Sequence, residues 1–182
     1  DVYKRQKLIM GDSSQRISKA LYIWGQFEDS SLKELTALKD NINQKLNGPN
    51  FEPHLTLSGP ILDSVLDIDS CLSKHLKSYS RIVLNIGGFG IKNEFFQALF
   101  LKVKKNNSLL KLNNTLDKFL ELESENFFPH ISLFYGNIEE SKKQSSIESF
   151  LSPNELVMSK ISIVDVNEHI NQWKVIKTHN LK

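Results

Sequence analysis

Apolar and polar residues follow two different periods along the chain, and these periods predict a mixture of strands and helices. Apolar residues at helical spacing predict helices over residues 31–46, 63–76 and 108–122, and residues 137–150 form a polar helix candidate. Runs rich in β-branched and aromatic residues predict about seven strands, over residues 17–27, 51–57, 81–91, 94–104, 127–133, 156–166 and 173–178. The two strands in the middle, 81–91 and 94–104, are predicted to form a hairpin. This order predicts an α+β protein, with its strands in two sheets or in one split sheet.

One strand pattern occurs twice, and it carries the most specific chemistry in the chain. Both copies have the form Phe-x-Pro-His-aliphatic-hydroxyl-Leu, namely Phe51-Glu52-Pro53-His54-Leu55-Thr56-Leu57 and Phe127-Phe128-Pro129-His130-Ile131-Ser132-Leu133. Because side chains alternate along a strand, His54 and Thr56 share one face, and so do His130 and Ser132. A helix precedes each copy and a strand pair separates them, which is the pattern that an internal duplication leaves.

Two histidines and two hydroxyls, brought together by an approximate two-fold axis, would suit cleavage of a phosphate ester without a metal. Two imidazoles with a reference pKa of about 6.5 can take up and release protons at neutral pH. Hydroxyls can hydrogen-bond to phosphate oxygens that gain charge in the transition state. A strand histidine is more often structural, and His75, His169 and His179 keep that interpretation. For His54 and His130 the repeat favours catalysis. We expect His130 to be the base and His54 the acid, and the pseudo-symmetry of the repeat leaves the reverse assignment open.

Composition and charge exclude several other classes of protein. The hydrophobic share of 40% and the charged share of 24% are typical of a soluble globular chain. A net charge of +2 does not predict a broad cationic face for duplex nucleic acid, whereas a small anionic substrate is compatible. Cys71 is the only cysteine, which excludes an internal disulfide and fits a reducing compartment. We therefore expect a cytoplasmic monomer that does not enter a membrane.

Metal and cofactor chemistry is not indicated by the sequence. No third ligand at metal spacing accompanies either repeated histidine, so a zinc hydrolase is disfavoured. Three glycines among residues 87–90 do not match the spacing of a nucleotide-binding loop. We expect no cofactor and no metal. Residues 1–16 are predicted to form a flexible N-terminal tail, and residues 17–182 a single domain.

The repeated strands resemble the signature of the 2H phosphoesterase superfamily, and most closely that of the eukaryotic, plant-type cyclic phosphodiesterases. Further segments resemble that family in the same order, namely Leu21-Tyr22-Ile23-Trp24, Phe95-Phe96-Gln97-Ala98-Leu99-Phe100 and Gln172-Trp173-Lys174-Val175. The resemblance implies a bilobal duplicated fold with two pseudo-symmetric lobes. Two antiparallel-rich sheets would line a central cleft, with the helices outside.

The resemblance also implies an activity and a set of site residues. The expected reaction is metal-independent hydrolysis of a nucleoside 2',3'-cyclic phosphate, or of ADP-ribose 1'',2''-cyclic phosphate, to a phosphomonoester. The four residues expected to be catalytic are those of the repeat, His54, Thr56, His130 and Ser132. By resemblance to the family, Tyr135 would supply a hydroxyl on the substrate side. Trp24 is a candidate platform for stacking of the base, and Tyr22 shares its face, which is either cleft or core.

Two other functions use the same residues and stay open at this point. The first is a 2H phosphodiesterase that acts on cyclic oligonucleotide signals or on RNA 2',3'-cyclic phosphate ends. The second is a binding protein for phosphorylated RNA termini that has no catalytic activity. Substrate profiling separates the first alternative from a mononucleotide enzyme, and affinity without turnover would favour the second.

Overall fold

The computed structural model describes residues 20–122 and 126–182, so the predicted N-terminal tail over residues 1–16 lies outside the described residues. Within them, strands and α-helices follow in the order β1 (Ala20–Phe27), α1 (Asp29–Leu46), β2 (Leu55–Ile61), α2 (Val65–His75), β3 (Ile82–Ile91), β4 (Leu99–Val103), α3 (Asn107–Phe119), β5 (His130–Phe134), α4 (Glu140–Ile147), β6 (Glu155–Val166) and β7 (Lys174–Asn180). Short 3₁₀ turns occur at Leu76–Ser78, Phe95–Gln97 and Ile170–Gln172. The predicted α+β class is confirmed.

The strands of the described chain form one antiparallel sheet in the order β1-β2-β5-β4-β3-β6-β7, in which β1 also pairs with β6. The first residues of β6, 155–158, pair with β3, and its remaining residues pair with β1 and with β7. On the other side of the molecule, Leu55 of β2 pairs with Ile131 of β5. The two predicted sheets therefore correspond to the strand groups β7-β6-β1-β2 and β6-β3-β4-β5. Strand β6 belongs to both groups, and the pairing of β2 with β5 joins the groups a second time.

The main hydrophobic core lies between the helices and one face of the sheet. It includes apolar side chains from all of the helices named above, such as Leu35, Leu72, Leu112 and Ile147. The aliphatic residues of the repeated strands enter the same core, because Leu55, Leu57, Ile131 and Leu133 are each at most 2% exposed. Since side chains alternate along a strand, the histidines and hydroxyls between them lie on the opposite face of the sheet.

Side-chain hydrogen bonds cap the starts of two helices, α2 and α3. The Ser64 side chain accepts a hydrogen bond from the backbone N–H of Asp67 at the start of α2, and Asn106 caps α3 by accepting from Leu109. At the end of α1, Asn47 adopts a left-handed conformation with φ of 54°. The polar helix predicted over residues 137–150 is shorter, because α4 covers only Glu140–Ile147.

The hairpin predicted in the middle of the chain is present, since β3 pairs with β4, but its second strand begins later than expected. The backbone N–H of Gln97 donates to the Glu94 carbonyl, which forms the short 3₁₀ turn. The carbonyl of Phe95 accepts instead from the N–H of Gly136. The segment before β4 therefore bends towards the end of β5, and only residues from Leu99 onward join the sheet.

Candidate active site

The two copies of the repeat meet where β2 lies antiparallel to β5. Leu55 pairs with Ile131. Continued by one residue in each direction, this register puts His54 across from Ser132 and Thr56 across from His130. Side chains directly opposed in an antiparallel pair have Cβ atoms about 4.5–5.5 Å apart, and diagonal neighbours about 7–8 Å apart. The two His-x-hydroxyl pairs are thus interleaved on one face of the sheet, although their catalytic role stays a prediction.

Each imidazole is oriented by the same local hydrogen bond. His54 Nδ1 lies 2.7 Å from the carbonyl oxygen of Glu52, and His130 Nδ1 lies 2.9 Å from that of Phe128. A carbonyl oxygen only accepts, so Nδ1 carries the hydrogen in both rings and donates it. The other nitrogen, Nε2, is then available for proton transfer in each histidine. The repetition of this bond in both copies fixes matching tautomers.

The two rings differ in their surroundings. His54 is 6% exposed and its ring stacks on Trp24, with centroids 3.6 Å apart and planes at 5°. His130 is half-buried and stacks more loosely on Phe128, at 5.3 Å and 29°. An edge contact with Phe100 at 5.4 Å completes the aromatic surroundings of His130. His54 is therefore the more enclosed of the two histidines.

Burial lowers the pKa of both histidines. Burial lowers the pKa of His54 to about 4, the hydrogen bond to Glu52 opposes this change, and the charge of His130 adds to it. For His130, burial is again the largest cause of a lowered pKa, and the charge of Lys92 acts in the same direction. Both imidazoles are consequently neutral near pH 7 without a bound anion. A bound phosphate would raise both pKa values, because it stabilises the imidazolium form.

The two hydroxyls of the repeat are held differently. Thr56 is half-buried and pairs with Trp24 of β1. Ser132 is 4% exposed, and its hydroxyl donates to the Phe96 carbonyl at 3.3 Å. Tyr135 also hydrogen-bonds to Ser132, and burial raises the pKa of Tyr135, so its hydroxyl stays protonated. In the structure Tyr135 contacts Ser132, and its direct contact with substrate stays a prediction.

Trp24 is not the open platform that the sequence analysis expects. It is 3% exposed, and the His54 ring covers one of its faces. A base cannot stack on a face that is already occupied, so the position of Trp24 supports the imidazole instead. Tyr22 is half-buried beside Gly59, where an added Cβ would lie 2.5 Å from the tyrosine ring. A substrate contact of Tyr22 stays a prediction.

Trp173 belongs to this site, although the sequence analysis does not include it among the site residues. It precedes β7, and its Nε1 donates to the Asn167 carbonyl at 2.8 Å. Its ring lies 5.7 Å from that of Trp24, 6.1 Å from that of His54 and 5.8 Å from that of Tyr135. Trp173 thus contacts rings next to both repeats. The resemblance of residues 172–175 to a known family segment was the signal that could have identified it.

The described residues offer neither a cluster of metal-binding side chains nor a helix that could span a membrane. Residues 20–122 and 126–182 contain no group of three or more His, Cys, Asp or Glu side chains that could hold a metal ion. In the same part of the chain, every helix is too short or too polar to cross a lipid bilayer.

A split antiparallel sheet with helices outside, together with two paired His-x-Thr/Ser strands, defines the class of 2H phosphoesterases. Comparisons with known proteins agree. A cyclic phosphodiesterase from Arabidopsis thaliana is 22% identical over 141 residues, which are 74% of this chain and 75% of that protein. The structure of E. coli LigT complexed with NADP+ is similar with a TM-score of 0.60 and 15% identity, covering 90% of this chain and 98% of LigT. LigT complexed with 3'-AMP gives a TM-score of 0.58 and 13% identity, with the same coverage.

The model of one protein family, described as cyclic phosphodiesterase-like protein, matches residues 22–181. The chain belongs to this family. It is accordingly a phosphodiesterase, a hydrolase of phosphoric diesters. The predicted superfamily is confirmed, and so is the general type of reaction.

Proposed function

We propose that the protein hydrolyses a small cyclic phosphodiester, a nucleoside 2',3'-cyclic phosphate or ADP-ribose 1'',2''-cyclic phosphate, to a phosphomonoester without a metal or cofactor. The interleaved register of β2 and β5 is the observation that carries this proposal. It supports a site in which two imidazoles and two hydroxyls surround one phosphoryl group. The similarity to a plant cyclic phosphodiesterase also supports a cyclic substrate.

In the proposed reaction, a water oxygen forms a bond to phosphorus while one bond from phosphorus to a ribose oxygen breaks. One histidine takes the proton of the attacking water through Nε2, and the other gives a proton to the departing oxygen. Thr56 and Ser132 donate hydrogen bonds to the non-bridging oxygens as these gain negative charge. Ser132 would exchange its present bond to the Phe96 carbonyl for the phosphate.

We assign His54 as the base and His130 as the acid, the reverse of the assignment in the sequence analysis. His54 is the more enclosed ring, and its pKa of about 4 keeps it unprotonated over the wider pH range. His130 is half-buried, so its imidazolium form is better solvated. Protonation on phosphate binding is therefore easier at His130 than at His54.

The proposed function is tested with purified protein, nucleoside 2',3'-cyclic phosphates and ADP-ribose 1'',2''-cyclic phosphate in excess EDTA. We expect hydrolysis to persist, and His54→Ala or His130→Ala to lower kcat/KM by about 10²–10⁴ each. The double variant should lose far less than the product of the two effects, because the histidines act as a unit. His169→Gln, at an exposed histidine, is the matched control.

Undiminished hydrolysis by the His54→Ala/His130→Ala protein would refute the two-histidine mechanism. Phosphorus NMR of the products identifies which ribose oxygen keeps the phosphate. Affinity for cyclic phosphates with no turnover across the panel would instead favour the binding protein considered above.

A further inference from the structure

The two repeats differ at the residue that precedes the proline, next to each histidine. The first copy has Glu52 and the second has Phe128. Glu52 accepts a hydrogen bond from Gln26 at 2.6 Å. Phe128 has no polar group, yet 44% of it is exposed. A duplicated site thus has a polar edge at His54 and an exposed aromatic edge at His130.

The strands next to the repeats show a second difference. Gly25 pairs with Leu55, so the register places Gln26 beside His54. On the other side, Lys102 of β4 is the paired residue of His130. Lys102 is exposed and makes no ion pair with the described residues. The neutral amide beside the first histidine is therefore replaced by an exposed ammonium group beside the second.

A second lysine lies at the same edge. Lys92 Nζ is 4.5 Å from the centroid of the Phe128 ring and donates to the Gln97 side chain at 2.5 Å. Its ammonium is 3.9 Å from the carboxylate of Glu94, which is more than half exposed. This geometry leaves the ammonium accessible to a competing anion, because an exposed ion pair of this length contributes little.

These residues open onto a cavity of about 530 Å³. Lys92, Lys102 and Phe128 line it together with Phe100, which contacts His130. Glu140 of α4 also lines it, and Gly90 leaves space that a side chain would take from the Phe100 ring. The cavity therefore combines aromatic side chains with two ammonium groups, and its lining residue Phe100 contacts the ring of His130.

We propose that the edge formed by Lys92, Lys102 and Phe128 is a second nucleotide subsite. The exposed part of the Phe128 ring, which His130 and Lys92 leave uncovered, contacts a base, and the two lysines bind the phosphate group that joins this nucleotide to the one carrying the cyclic phosphate. The inference rests on the proposed function for the position of the cyclic phosphate. Its ligand class is a cyclic phosphodiester with a further nucleotide attached, as in a cyclic-phosphate RNA end or in ADP-ribose cyclic phosphate.

The test compares kcat/KM for adenosine 2',3'-cyclic phosphate with kcat/KM for a dinucleotide ending in a 2',3'-cyclic phosphate and for ADP-ribose 1'',2''-cyclic phosphate. We expect the wild type to prefer at least one larger substrate by about tenfold, the value of one additional charge-assisted phosphate contact. Lys102→Gln and Phe128→Leu should each abolish most of this preference. Lys118→Gln, an exposed lysine on α3, is the control and should retain it. The larger substrate that is preferred identifies the source of the second nucleotide.

Equal kcat/KM values for small and large substrates, or an equal loss on all substrates in Lys102→Gln, would overturn the subsite. Calorimetry separates this result from a failure of the proposed function. A dinucleotide with a terminal 2'-phosphate should bind the wild type about tenfold more tightly than adenosine 2'-phosphate, and Lys102→Gln should remove the difference. This binding preference would support the subsite even if no cyclic substrate were hydrolysed, and its absence would count against the subsite.

Discussion

His54 and His130 occupy matching positions in the repeat, yet their surroundings make them chemically different. The ring of His54 lies flat against Trp24 at 3.6 Å, whereas the ring of His130 lies beside the exposed Phe128. Both share the hydrogen bond from Nδ1 to the carbonyl two residues earlier. The common bond sets the tautomer, and the different degrees of enclosure set the difference in proton affinity.

The enclosure of His54 predicts a pH-dependent stability. In the unfolded chain His54 binds a proton near pH 6.5, whereas in the folded chain it does so only near pH 4. The contribution of His54 to the free energy of unfolding is therefore fully present above about pH 6.5 and is lost as the pH falls towards 4. We expect a loss on the order of 3 kcal/mol in the free energy of unfolding. Urea denaturation at several pH values measures it. The difference in free energy of unfolding between the wild type and His54→Gln should become smaller as the pH falls. A difference that does not change with pH would contradict the prediction.

The assignment of base and acid predicts different responses to a better leaving group. In a substrate whose departing ribose oxygen is replaced by sulfur, the thiolate leaves without needing a proton. His130→Gln should then lose about 10²-fold less activity than on the oxygen substrate, because the acid is no longer required. His54→Gln should lose a similar factor on both substrates. The opposite pattern would restore His130 as the base.

At the residue scale, the sequence was sufficient to predict that the four polar side chains of the repeat share one face of the sheet, and insufficient to predict which side chains surround them. Two copies of His-x-hydroxyl on a strand determine which side chains share a face. Alternation says nothing about which ring will cover that face, so the stacking of Trp24 on His54 could not be predicted from spacing. The contacts of Trp173 depend on the path of the turn before β7, which is likewise a tertiary feature.

The β2 strand, which carries the first histidine, is attached to α3 by a buried polar network. Ser58 of β2 donates to the Asp117 carboxylate at 2.7 Å, and Asn113 donates both to Asp117 and to the Leu57 carbonyl, at 2.9 and 2.8 Å. All three side chains are buried, at 3–6% exposure. Loss of Ser58 or Asn113 would remove a hydrogen bond from a buried acceptor.

We expect Asn113→Ala to lower the free energy of unfolding by about 2–3 kcal/mol, because the Leu57 carbonyl and Asp117 each lose a donor in a buried setting. Asn114→Ala, at the adjacent exposed position of the same helix, is the matched control and should change it by less than about 0.5 kcal/mol. Denaturant titration compares the two. Similar values for both variants would show that the network does not stabilise the attachment of β2.

Elements with a strong apolar period were predictable, and those shaped by contacts with distant residues were not. The regular leucine spacing of α1 predicted a helix that the structure has at Asp29–Leu46. The segment before β4 has the aromatic content of a strand. It forms a 3₁₀ turn because the carbonyls of Phe95 and Phe96 bond to Gly136 and Ser132, far along the chain. Local propensity carries no information about such partners.

For the whole molecule, the two halves form one continuous hydrogen-bonded unit. The long strand β6 pairs with β3 near its start and with β1 and β7 along the rest, and the Leu55–Ile131 pair joins the halves again at the two histidine strands. The duplication predicted two lobes. It did not predict that one strand belongs to both groups, because the pairing of β6 with β1 and β3 joins residues that are far apart in the chain.

The sharing of β6 has a consequence for biosynthesis. During translation β1 and β3 are made early, but the strand that pairs with both emerges only after every other strand except β7. The edges of β1 and β3 that pair with β6 therefore stay unpaired until residues 155–166 have been synthesised, and an unpaired edge can bind a strand of another chain.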